Sequence, residues 1–165
     1  MDNDSARPPA VLDTGRLSTE DLVDRVSWSV KLKADAVSTD EREGGRRALL
    51  NYGHTLGHAL ETLGDHELLH GEAVAIGIAY AGEVAFEMGR IDEARVAYHR
   101  EVLAGYDLPM APPGSPAFGD IEPLLSRDKK ALDGVTLILD GPKGCEVVAN
   151  VEANVLAASY ERLVA

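Results

Sequence analysis

Residues 47–61 read RALLNYGHTLGHALE. Within them Arg47, Asn51, His54 and His58 stand at i, i+4, i+7 and i+11. On a helix turning about 100° per residue, these four share a wedge of roughly 60°. A guanidinium, a carboxamide and two imidazoles thus make one polar stripe. Leu49, Tyr52, Leu56, Leu60 and Leu63 make an apolar stripe roughly opposite it. The pattern predicts a helix over 47–63 with one face in a core and the other at a site. Gly53 and Gly57 lie four apart on its flank. Each costs about 1 kcal/mol relative to alanine, which predicts close approach by another backbone.

Upstream, Ser18 with Asp21 resembles a capping box and opens a helix carried to about Val37. Its apolar stripe is Leu22, Val26, Val30 and Val37, and Lys33 falls inside that stripe. Residues 38–47 are a charged turn broken at Gly44-Gly45, and residues 1–17 lack periodicity and read as a tail or linker. Downstream, 64–71 is a connection leading into a helix over about 71–88. That helix is apolar or small nearly all round, the mark of a buried central element. A further helix over about 91–104 and a Pro-rich loop over 107–119 come next, then a short helical stretch. Residues 135–139 and 145–149 read as a β-hairpin, and a helix over about 151–163 ends the chain. The fold class is mainly α: a multi-helix domain over 18–165 with one small hairpin.

The 165 residues suffice for one domain with a core. A net charge of −12 argues against nonspecific nucleic-acid binding. The uncharged run Ala73–Gly82 is about half a membrane span. The acidic, Pro-containing start MDNDSARPPA lacks the features of a secretory signal. One cysteine, Cys145, leaves no internal disulfide framework. A cytoplasmic protein is expected.

Two histidines one turn apart can present ring nitrogens to one metal ion. His70, in LLHGEAVAIG, brings a third imidazole twelve residues after His58. Pairing of His54 with His58 along one helix, or of His54 with His70 across two, both satisfy the spacing. An imidazole outside the metal shell can bind substrate or move a proton near neutral pH. The competing reading is an ordinary solvated face, but such faces favour Glu, Lys and Gln over His and Asn. Arg47 and Lys33 supply permanent positive charge for a carboxylate or phosphate. Lys129 and Lys130, before the hairpin, can add to the same pocket. His66 and His99 read as surface or loop residues with no role.

KLKADAVSTDEREGGRRALLNYGHTLGHALE, LLHGEAVAIGI and RDKKALDG closely resemble the C-terminal domain of 3-dehydroquinate synthase, of the sugar-phosphate cyclase family. The resemblance covers about residues 18–163. It implies a helical domain facing an N-terminal NAD-binding domain, with the active site between them. It implies His54 and His70 as zinc ligands, His58 at the substrate, and Arg47 and Asn51 lining the substrate site. Lys33 and one of Lys129 and Lys130 are implied to bind substrate as well. The implied substrate is 3-deoxy-D-arabino-heptulosonate 7-phosphate, converted to 3-dehydroquinate and phosphate through transient oxidation by NAD. A third zinc ligand, a glutamate, is implied upstream of residue 18, and neither it nor an NAD-binding domain falls within this sequence. The chain by itself is therefore expected to be inactive, and a homo-oligomer is expected. A cyclase acting on another sugar phosphate, and a non-catalytic domain binding a metal or a partner, are the competing expectations.

Overall fold

The computed structural model describes residues 18–38, 46–64, 68–125 and 134–165. The tail over 1–17, most of the charged turn, His66, Lys129 and Lys130 lie outside the described residues. The architecture is mainly α with one hairpin, as expected. In chain order the elements are α1 (Thr19–Ser38), a 3₁₀ helix (Arg46–Asn51), α2 (His54–Leu63) and α3 (His70–Glu87). Then come α4 (Glu93–Ala104), α5 (Phe118–Leu125), β1 (Val135–Leu139), β2 (Glu146–Val151) and α6 (Ala153–Val164).

α3 is the buried centre, with Ile76, Tyr80 and Val84 sealed from solvent. Its alanines and glycines let α2, α4, α6 and β1 approach closely on several sides. The buried Tyr80 hydroxyl donates to the Leu156 carbonyl at 2.9 Å, which satisfies the polar tip of an otherwise apolar side chain. Glu83 is the charged group in this centre, its side chain 2% exposed. It accepts from Arg100 of α4 at 2.8 Å and from Arg162 of α6 at 2.9 Å. A carboxylate at that depth requires such pairing, so Glu83 ties three helices together. β1 and β2 pair antiparallel, with Leu137 opposite Val148 and Leu139 opposite Glu146. Leu137, Leu139 and Val151 turn inward to the same core.

The chain departs from the continuous helix expected over 47–63. A 3₁₀ helix ends at Asn51, Tyr52 and Gly53 turn, and α2 begins at His54. Gly53 has φ +80°, a left-handed conformation that interrupts the helix and that glycine adopts without strain. The close approach expected from the two glycines is present. A Cβ at Gly53 would sit 2.7 Å from Ile78 and from the Val74 carbonyl, and one at Gly57 3.2 Å from the Ala73 backbone. Propensity favoured continuity, but contact with α3 sets the break.

α1 opens as expected. The Ser18 hydroxyl and N–H both donate to the Asp21 carboxylate, and the Asp21 N–H donates back to the Ser18 hydroxyl. Its apolar stripe is exposed, with Val30 61% accessible. Arg25 is the buried residue of this helix, donating to the Tyr106 hydroxyl and lying against that ring.

Candidate active site

Lys33 of α1 reaches toward the 3₁₀ helix. Together with Val37, Arg47, Ala48, Leu50, Asn51 and His54 it lines a cleft of about 360 Å³. Two permanent cations and a carboxamide thus share one concavity in a chain whose net charge is −12. A cleft that concentrates positive charge attracts and orients a small anion locally. Lys33, anomalous in the apolar stripe of α1, is placed at this cleft. The break at Gly53 does not scatter the polar stripe, because Arg47, Asn51 and His54 still face the same hollow.

His54 lines the cleft and also belongs to a second cluster. Its ring centroid lies 5.4 Å from that of His58 and 5.4 Å from that of His70, while His58 and His70 are 6.0 Å apart. His54 and His58 are one turn apart on α2, and His70 opens α3. The Leu69 N–H donates to the Glu72 carboxylate at 2.9 Å and so fixes this helix start. Ligand atoms of His58, Glu61 and His70 all lie within 4.8 Å of one another. Among the described residues, the group of three ligand atoms that converges this closely is this one, and His54 is not part of it.

The hydrogen bonds select which ring nitrogens face outward. His54 Nδ1 lies 3.2 Å from the Tyr52 carbonyl, which can only accept, so Nδ1 carries the hydrogen and Nε2 keeps its lone pair. His70 Nδ1 lies 3.1 Å from Glu61 Oε1, with the same consequence for the neutral ring. Neutral imidazoles with one nitrogen held by an acceptor and the other open are suited to a divalent cation. The donor set therefore fits a metal of the zinc type, which accepts nitrogen and oxygen ligands and leaves a position for water or substrate.

A second polar network lies behind the turn. The Tyr52 hydroxyl meets His99 Nε2 at 3.0 Å, and His99 Nδ1 donates to the Arg95 carbonyl at 2.8 Å. Asp140 accepts from Arg95 Nε at 2.7 Å and from the Gly141 N–H at 2.9 Å, with His99 Nε2 3.6 Å away. Burial raises the Asp140 pKa, but the hydrogen bonds and charges of Arg95, Gly141 and His99 outweigh it and hold the carboxyl below its ordinary range. Burial, with Cys145 and Asp140 adding to it, pushes the Tyr52 phenol up, so it stays a donor. His99 is thus not the surface residue expected; its side chain is 12% exposed. It braces the turn whose carbonyl orients His54. Glu61, not among the residues expected at the site, stands three residues after His58 on the same helix face, a spacing visible in the sequence.

The family described as 3-dehydroquinate synthase C-terminal matches residues 8–131. The chain belongs to that family. A 3-dehydroquinate synthase of Shewanella sp. (strain MR-4) is 46% identical over 74% of the chain and 35% of its own length. A protein of Amycolatopsis mediterranei (strain S699), named for aminodehydroquinate synthase, is 45% identical over 85% of the chain and 40% of its own length. In fold, the chain is similar to a 2-deoxy-scyllo-inosose synthase solved with carbaglucose-6-phosphate, NAD⁺ and Co²⁺. The TM-score is 0.75 at 24% identity, covering 92% of the chain and 43% of that structure. The chain spans 31–43% of the length of the curated relatives it matches. Among the described residues of this family member, no helix is long and apolar enough to cross a membrane.

Proposed function

We propose that this chain carries the cation and the anionic substrate of a 3-dehydroquinate synthase, working with an NAD-binding domain supplied in cis or in trans. The observation that supports this most is the continuity of a cationic cleft with a group of three imidazoles at His54. His54 and His70 hold zinc or another divalent cation, with Nε2 of each left open by its Nδ1 partner. Arg47, Asn51 and Lys33 hold the carboxylate and phosphate of the heptulosonate phosphate, so that it is positioned rather than merely attracted. One of Lys129 and Lys130 adds to that grip. His58, beside both ligands, moves the proton at the reacting centre. When bound, such a cation would polarise the oxygen on the carbon from which NAD takes hydride. The exposed stripe of α1 supports a surface covered by that domain or by a second copy, and the working compartment is the cytoplasm.

The test is reconstitution. The chain is mixed with, or fused to, the NAD-binding half of a relative and supplied with zinc, NAD and 3-deoxy-D-arabino-heptulosonate 7-phosphate. Phosphate release and 3-dehydroquinate formation are expected with both halves and absent with either alone. A stable two-half complex, loaded with zinc and NAD, that leaves this substrate untouched counts against the assignment.

One observation favours a second reading within the family: the Amycolatopsis mediterranei relative is named for an amino-substituted product. The same assay run with the amino counterpart of the substrate separates the two. Higher kcat/KM on that counterpart moves the assignment to it.

A further inference from the structure

We infer that Glu61 is the positioning residue that presets His70 for the cation. This rests on the reading above, in which His70 is a ligand, and adds a residue to it. Glu61 lies one turn after His58 and near the end of α2, and its side chain is 18% exposed. It reaches across to α3, where Oε1 stands 3.1 Å from His70 Nδ1. The His70 side chain is 59% exposed, its ring meeting those of His54 and His58 on one side, and the hydrogen bond adds the directional constraint. A carboxylate only accepts when ionised, so the hydrogen of a neutral His70 sits on Nδ1 and the lone pair on Nε2. The negative charge also makes the imidazole a stronger electron donor to a cation. His54 has the same arrangement from a backbone carbonyl, at 3.2 Å from Tyr52. The two imidazoles are thus oriented by different devices, and that of His70 is the one a substitution can remove.

Zinc affinity of the full chain, measured by competition with a chromophoric chelator, tests this. Glu61→Ala is expected to weaken binding about 10- to 100-fold, the range for removing a carboxylate that orients a metal-bound histidine. Glu61→Gln, which keeps an acceptor without the charge, is expected to recover part of that loss. His70→Ala is expected to lose more than either, and the zinc-free melting temperature of Glu61→Gln should equal that of the unsubstituted chain. Wild-type affinity in Glu61→Ala overturns the inference while leaving His70 as a ligand. A Glu61→Gln loss as complete as that of His70→Ala also overturns it, since Glu61 is then itself a ligand. No zinc uptake by the unsubstituted chain overturns it as a property of this chain. Unchanged affinity in His54→Ala and His70→Ala together defeats the parent reading instead.

Discussion

Gly77→Ala is expected to lower the unfolding free energy by about 3 kcal/mol, near the upper end of the usual cost of overpacking. A Cβ on Gly77 would lie 1.8 Å from the Gly53 carbonyl oxygen and 2.8 Å from its carbonyl carbon. Both are backbone atoms, so no side-chain rotation relieves the overlap, and the turn at Gly53 and α3 have to separate. Gly53 directly precedes His54, so the separation also moves the first imidazole away from His70. A typical domain has only about 5–15 kcal/mol in reserve. Urea unfolding of Gly77→Ala beside Gly71→Ala measures the effect. A Cβ at Gly71 meets nothing within 4 Å, and alanine is the better helix former, so that control should be neutral or stabilised by under about 1 kcal/mol. Equal midpoints for Gly77→Ala and the unsubstituted chain would show that the two backbones do not touch.

His58→Ala is expected to cut kcat of the reconstituted enzyme by about 10²- to 10⁴-fold, the usual worth of a positioned proton carrier. Its ring lies 5.4 Å from His54 and 6.0 Å from His70, close enough to share a substrate with the cation proposed for them. Zinc content should stay at the unsubstituted level, because the two proposed ligands are retained. His54→Ala should remove zinc and turnover together. Stopped-time phosphate release paired with metal analysis of the same samples separates the two cases. Equal loss of zinc in both variants contradicts the division of roles.

Much of this fold could be read from residue patterns, for reasons particular to each element. The uniformly apolar and small run in α3 has no solvent-compatible face, so burial at the centre follows from composition alone. The Ser18–Asp21 cap and the hairpin runs at 135–139 and 145–149 depend on neighbours a few residues apart, which a linear pattern contains. The break at Gly53 does not, because a contact with Val74 and Ile78 more than twenty positions away decides it. The cluster of Arg47, Asn51 and His54 was readable even so, since the 3₁₀ helix and the turn together leave all three on one side. The burial of His99 is not legible in the sequence, because its partners, Tyr52 and Asp140, come from distant parts of the chain. The tertiary role of Lys33 was also hidden, as helical periodicity marks it as an exception without saying what it faces. The apolar stripe of α1 was plain in the sequence, yet this chain leaves it exposed.

X-ray absorption at the zinc edge, on the zinc-loaded chain joined to a relative's NAD-binding half, tests the convergence of imidazoles on one cation most directly. The account predicts a first shell of nitrogen and oxygen with the outer-shell scattering of two imidazoles, reduced to one in His70→Ala. A shell of oxygen alone, or a spectrum that His54→Ala and His70→Ala leave unchanged, contradicts it.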